Sequence, residues 1–480
     1  GSKRGDRMGK DEGIISDVED MHVPLNDPND AHAMNYHTGD VYADEEVYED
    51  DKRKVGKASS LLASYNVICT VVGTGLLQLP YGLEESGWIG VGILLGVALV
   101  ASYTAVMLIK CMNPPSGKKL YTYSEVGQEA FGKVGSTVVD IFLHATLIGV
   151  ATIYLILAGG NLSTLLATVP WPSAAGYTVD VLNISATEGI LIVVTLMWLH
   201  VWLKTLHEVG FLSAFNVMVA VFLEVTVITV ILLNLPSSAP DYDFVNTASY
   251  GLSLAGAFVS FSFSYGAHAV LPTVYESMAK PQQFNVMITT TFIAILGFYL
   301  PMACIGYGVY GTGTLSPIYN NLCEDGQTCS YGAQLGKWLS ILLITAHVML
   351  SYAIVLNPTE RMLERVCGTD DLKQPKNKLY GVVLRTCVVA ITVVLAFWIP
   401  DFGDFLNLVS ACTNTATTFV FPCLFHMKLF WPEVKNKPLI IAWDVFIIVA
   451  SIIAGVFGAI FAIFCIACNL FGFCTDWVTC

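Results

Sequence analysis

Apolar runs of 18 or more residues recur along most of this 480-residue chain. Each is long enough to cross a hydrocarbon core of about 30 Å. Inside lipid a segment must satisfy its own backbone polar groups, and an α-helix does so without a partner. Charged residues make up 13% of the chain, roughly half the share usual in soluble proteins. The expected fold is an all-α polytopic membrane protein, with the lipid bilayer as its first partner.

Eleven spans are expected, at 58–83, 88–111, 136–160, 187–203, 209–233, 250–278, 286–310, 335–357, 380–399, 402–426 and 439–468. Lys and Arg set their orientation, because cytosolic loops carry the excess of both. With a cytosolic N-terminus these residues fall in the tail (Lys52, Arg53, Lys54, Lys57) and the 2–3 loop (Lys110, Lys118, Lys119, Lys133). Others fall at Lys204, at Lys280, across 361–385 and at Lys428, Lys435 and Lys437; only Lys337 lands on the far side. A wrong span count would scramble that alternation. An odd count leaves 469–480 as a short extracytosolic tail.

Residues 1–57 hold fifteen Asp/Glu against eight Lys/Arg and no apolar stretch of the kind that marks a cleavable signal peptide. A disordered acidic cytosolic tail is expected there. It contributes about half of the net charge of −14, so that charge says little about partners, and no nucleic acid is expected among them. The far side has its own marks. Asn183-Ile184-Ser185 is a glycosylation sequon in a loop without Lys or Arg. Cys323 and Cys329 share the 7–8 loop, where a disulfide is permitted. Cys474 and Cys480 form a second candidate pair.

Two spans are interrupted. The first contains "VVGTGLLQLPYG" (71–82), and the sixth contains Ser264-Tyr265-Gly266-Ala267-His268 followed by Pro272. Gly costs about 1 kcal/mol and Pro about 3 kcal/mol in a helix interior. The breaks lie five spans apart, so 58–233 and 250–426 form two five-helix repeats of opposite orientation, with 439–468 as an eleventh helix. Paired Gly/Pro interruptions at matching positions of two halves point to a transporter's central site. Half-helix N-termini suit a carboxylate, and C-terminal ends suit an ammonium group or a cation. Close packing of small residues is the alternative for either break alone.

"VVGTGLLQLPYGLEESGW", "FSYGAHAVLPTVYESMAKPQQF" and "LSYAIVLNPTERMLE" (350–364) resemble the first, sixth and eighth spans of the amino acid/auxin permease family. That family includes vesicular inhibitory, proton-coupled and sodium-coupled neutral amino acid transporters. The resemblance covers about 58–430 and implies a five-plus-five inverted core, an eleventh helix and rocking-bundle alternating access for an amino acid.

The substrate site is expected at Gly73, Thr74, Gly75, Phe261, Tyr265 and Gly266, with Tyr65 and Phe263 nearby. Ionisable residues at membrane depth are functional candidates by default; His144, Glu224, His268 and His347 qualify. His268 and Glu224 lead for proton coupling, because His268 stands at the sixth-span break and titrates nearest physiological pH. Packing or hydrogen bonding is favoured for His144 and His347. In sodium-coupled members of the family, a first-span Asn and an eighth-span hydroxyl help hold the cation. Here Cys69 stands four residues before Gly73, where such a member has Asn. Asn66 and Ser351 remain as possible cation ligands, and a hard cation prefers oxygen to sulfur. Proton coupling is expected ahead of sodium coupling, with uncoupled exchange behind both. Ser410 and Thr413 are possible gates, while Asp401 and Asp404 sit near the outer mouth.

No metal-ligand cluster, nucleophile elbow or phosphate-binding loop is apparent, so no enzyme and no cofactor beyond the coupling ion is expected. Eleven spans do not fit a seven-helix receptor, and no repeated pore motif suggests a channel. Nutrient sensing through the acidic tail is compatible with transport. The expected function is secondary active transport of a small amino acid or close analogue by a monomeric unit. Its membrane is the plasma membrane or an endolysosomal or vesicular one.

Overall fold

A computed structural model describes residues 56–170, 178–180, 182–201, 209–236, 240–246, 251–323, 329–369, 375–399 and 401–471. The acidic tail up to residue 55 and the Cys474–Cys480 pairing lie outside the described residues. Helices dominate. The first span is two helices, α1 (Ser60–Val71) and α2 (Thr74–Ser86), bent by 55° at Val72-Gly73. Then come α3 (Ile89–Cys111), α4 (Tyr123–Ala167), α5 (Ala186–Val201) and α6 (Val209–Leu233). The sixth span is again two helices, α7 (Leu252–Ser264) and α8 (Leu271–Ser277). After it follow α9 (Phe284–Tyr310), α10 (Tyr331–Val366), α11 (Pro375–Trp398), α12 (Phe402–Leu429) and α13 (Pro438–Phe471). Among the described residues, eight helices are long and apolar enough to cross a membrane, the α1–α2 pair qualifies as one bent span, and α5 and α7 are shorter apolar helices.

Local chemistry explains the starts of several elements. Ser59 accepts from Leu62 N–H, Ser330 from Ala333 N–H and Asp401 from Asp404 N–H, each capping a helix whose first amides lack intrahelical acceptors. Thr122 accepts from Glu125 N–H while Glu125 accepts from the N–H of the preceding Tyr121, and ahead of α5 Ser185 and Glu188 form a reciprocal capping box, each accepting from the other's N–H. The Thr122 cap explains why α4 begins at Tyr123 rather than near 136. A helical lead-in precedes a kink at Phe131-Gly132, where Gly132 takes φ +66°. Such a left-handed turn favours glycine. A short antiparallel ribbon, β1 (Thr168–Pro170) with β2 (Thr178–Asp180), decorates the α4–α5 link.

Burial separates an inner layer from an outer one. In α2 only Tyr81 and Glu84 escape full burial, whereas α13 exposes Phe446, Val449, Ile453, Phe457 and Ile460 along one side. Such an apolar face belongs against lipid. The α2 helix packs on α7 and α9, α7 on α13, and α10 on α4 and α6. Two clusters of ionisable side chains are hydrogen-bonded inside the bundle. Arg385 on α11 holds Glu360 at 3.1 Å and donates to Glu364 at 2.9 Å, both on α10. His426 Nδ1 lies 2.8 Å from Asp444, which also accepts from Tyr103 at 2.6 Å.

Candidate functional site

The two interrupted spans meet. Ser264, the last residue of α7, donates from Oγ to the Gly75 carbonyl at 3.2 Å. A Cβ added at Gly75 would stand 2.7 Å from Ser264 Oγ and 2.9 Å from its Cα, so a side chain at 75 would force the two spans apart. Gly73 is extended, with φ −172°, a conformation open to any residue. Its requirement for glycine is one of space, since a Cβ there would lie 2.6 Å from His347 Nε2 on α10. Gly266 faces the Asn414 side chain of α12 in the same way, and Asn414 Nδ2 donates to the Ser262 carbonyl at 2.9 Å.

One side chain joins the C-terminal ends of both half-helices. The Tyr299 hydroxyl on α9 lies 2.8 Å from the Val71 carbonyl and 2.8 Å from the Ser264 carbonyl, the last residues of α1 and α7. A hydroxyl has one proton to donate, so the two acceptors share it. Tyr299 is fully buried, and Tyr265 meets its ring edge-on at 5.2 Å while stacking on Phe292 at 5.8 Å. The Tyr265 hydroxyl has no hydrogen-bond partner among the described residues.

The remaining expected site residues are distributed around this centre. Thr74 is buried in the first turn of α2, with its hydroxyl beside the break and making no hydrogen bond among the described residues. Phe261 is buried against Gly82, further along α2, which separates its ring from the Gly73–Gly75 turn. His268 is buried with Nε2 3.0 Å from the Thr104 hydroxyl on α3. Thr104 Oγ1 also lies 3.0 and 3.1 Å from the Val100 and Ala101 carbonyls, so the direction of its bond to His268 Nε2 is set by the imidazole tautomer. Glu224 on α6 is buried, makes no hydrogen bond among the described residues and lies within electrostatic reach of Tyr299. Asn66 keeps a buried Oδ1 without a hydrogen-bond partner among the described residues, while the Ser351 hydroxyl accepts from Asn216 Nδ2 on α6 at 3.0 Å. His144 Nδ1 lies 3.0 Å from the Thr359 hydroxyl of α10, and Ser410 donates to the Val259 carbonyl at 2.5 Å.

Three residues enter the site that sequence reasoning did not single out or favour: Tyr299, Asn414 and His347. His347 is buried, and among the described residues its ring nitrogens have only the Asn216 backbone within a loose hydrogen-bonding range. No local signal marks Tyr299 or Asn414, because their partners lie 35 or more residues away in the chain. Above the break, Tyr319 donates to Asn161 at 2.5 Å, and Asn161 donates to Thr345, two residues before His347. Gln78 and Ser316 are hydrogen-bonded on the same side of α2. Away from the site, Cys323 and Cys329 form a disulfide, and Asn183 is exposed.

Residues 56–464 match the family described as transmembrane amino acid transporter protein. Three amino acid transporters of Arabidopsis thaliana are similar along most of the chain. AVT1I is 28% identical over 88% of this chain and 98% of its own. AVT1J is 29% identical over 80% and 86%, and AVT3B is 26% identical over 85% and 95%. Among solved structures, a Na+-coupled sialic acid symporter in a substrate-bound outward-open state aligns with a TM-score of 0.48 at 14% identity, covering 87% of this chain and 94% of that one. MhsT in complex with L-phenylalanine aligns at 0.48 and 12%, covering 82% and 100%. The family and these plant relatives are transporters rather than enzymes, and this multi-pass membrane protein belongs to the transmembrane amino acid transporter family.

Proposed function

We propose that the protein is a secondary active transporter of a small amino acid or close analogue, driven by protons, with alternating access around the α1–α2 and α7–α8 breaks. The observation that carries this reading is the meeting of the two breaks at Gly75, Ser264 and Tyr299. The amides and hydroxyl of Gly73, Thr74 and Gly75 stand at the start of α2, where a helix N-terminus favours a substrate carboxylate. Tyr265 and Gly266 line the opposite break. Phe261 would act from behind Gly82, shaping the wall rather than touching the substrate directly.

Protons are favoured over sodium for three reasons. The carbonyl ends of α1 and α7, which could hold a cation, are bridged by the Tyr299 hydroxyl instead. Sulfur stands at Cys69, and the Ser351 hydroxyl is engaged by Asn216. Glu224 and His268 are the coupling candidates, Glu224 because it is a buried carboxyl within reach of Tyr299. The Asn66–Ser351 pair is the basis of the sodium alternative. In this reading the N-terminus is cytosolic and Asn183 carries a glycan on the far side.

The test is uptake of a radiolabelled amino acid panel into proteoliposomes, first with an imposed proton gradient and then with a sodium gradient. Accumulation under the proton gradient alone is the expected result. Stimulation by sodium alone would replace the coupling ion, and absence of flux for every amino acid would overturn the transport reading.

A further inference from the structure

Glu85 lies in the last turn of the α2 half-helix and is 2% exposed. Its Oε1 accepts a hydrogen bond from Asn407 Nδ2 on α12 at 3.2 Å. Its Oε2 has no partner among the described residues, and neither has Asn407 Oδ1. Two side chains already joined by one hydrogen bond therefore each keep one buried oxygen that needs a donor. A single proton on Glu85 Oε2 would supply it, donating to Asn407 Oδ1 and closing a two-bond acid–amide pair. Without that proton, two acceptor oxygens remain desolvated and unsatisfied, which is expensive.

Among the described residues the surroundings offer no other hydrogen-bond partner for these two oxygens. Within its own helix Glu85 faces Tyr81 and Glu84, and from α12 it faces Asp404, with Asp401 nearby; Asp243 faces Glu84 from the outside. From α7 the contact is Gly256, whose added Cβ would lie 2.9 Å from Glu85 Oε1 and 2.8 Å from the Phe461 ring of α13. Neither is titratable. The named charged groups are all acids, and Asn469 already donates to Asp404 at 2.8 Å.

We propose that Glu85 is a proton-binding latch. The mouth formed by α2, α7, α12 and α13 shuts only after Glu85 takes one proton from the solution on that side, and it opens as the proton leaves. The proposal rests on the alternating-access reading, because the Glu85–Asn407 contact joins one of the two broken spans to α12. It does not depend on which ion drives transport. The shut form holds one proton more than the open form, so its stability falls as pH rises.

The test compares the full-length protein with Glu85→Gln, whose amide can make both bonds to Asn407 without a proton. Exchange of the labelled amino acid with the largest flux is followed in proteoliposomes at equal pH on both faces, from pH 5 to 8. Wild-type exchange is expected to slow with rising pH, by up to about tenfold per unit when closing limits the rate, the limit for one proton per closure. Glu85→Gln is expected to keep the pH 5 rate and to slow less steeply with rising pH than the wild type, because it lacks the one-proton requirement for closing. Equal pH slopes in the two proteins would overturn the latch. Should no amino acid exchange through the wild type, the transport reading fails, and thermal melting in detergent decides the latch separately. Wild-type melting that falls with pH relative to Glu85→Gln supports it, and parallel profiles refute it.

Discussion

Tyr299→Phe removes one oxygen and leaves the aromatic contact with Tyr265 in place, so its effect isolates the bridging hydroxyl. That hydroxyl meets two carbonyls at 2.8 Å, each the last of a half-helix. Both carbonyls lie in a buried region, and leaving buried acceptors without a donor costs about 1–3 kcal/mol. The shared proton makes each bond weaker than a linear one, so the sum for the two belongs within that range rather than at twice it. A penalty of this size shifts an equilibrium by roughly 5- to 150-fold. Thermal melting of purified wild-type and Tyr299→Phe protein should show the loss, and uptake should fall with it, because the two half-helices are no longer tied to a common point. Melting and uptake both unchanged would refute the reasoning and reduce the hydroxyl to a bystander.

Gly73→Ala should drive a methyl to 2.6 Å from His347 Nε2, against an ordinary limit of 3.4 Å, so the buried ring must retreat by about 0.8 Å. Overpacking of this kind destabilises by about 1–3 kcal/mol; the melting penalty should shrink by at least half in a His347→Ala background, and equal penalties in both backgrounds would count against the contact. Arg385→Met should destabilise by about 3–5 kcal/mol by taking the cation from two buried carboxylates, and a melting change under about 1 kcal/mol would argue that the cluster is solvated. Asn183→Gln should abolish the glycosidase-sensitive gel shift of the protein expressed in animal cells, and a wild type without any shift would argue against a far-side α4–α5 loop.

The breaks were legible because they are local. Gly73, Gly75 and Pro80 disturb a helix through their own backbone chemistry, and so does the Gly266–Pro272 stretch, whatever they touch. The helices around them were legible from apolar length alone. What they touch was not, since His347 lies more than 270 positions beyond Gly73 and nothing in the intervening chain fixes that register. His347 was therefore weighed as packing, although it stands against the first break. Phe261 shows the opposite case: proximity in sequence to Tyr265 suggested a place at the break, while helical geometry turns the ring onto Gly82. The early start of α4 was encoded at Thr122 and Glu125, a capping signal overshadowed by the polar composition of that stretch.

The α12 helix contains two widened turns, in which Thr415 N–H donates to the Ser410 carbonyl and Phe421 N–H to the Ala416 carbonyl. Each five-residue step carries an extra residue past the α-helical repeat, and one residue turns a helix by about 100°. Side chains beyond Phe421 therefore point elsewhere than an unbroken helix starting at Phe402 would aim them. Asn407 and Asn414, seven residues apart and nominally on one stripe, reach different half-helices, α2 and α7. A deletion of a single residue between 410 and 420 can thus be absorbed by tightening one widened turn to an ordinary α turn. Its trace would be one widened turn fewer, with the α2 contact at Asn407 and the side chains beyond Phe421 left in place.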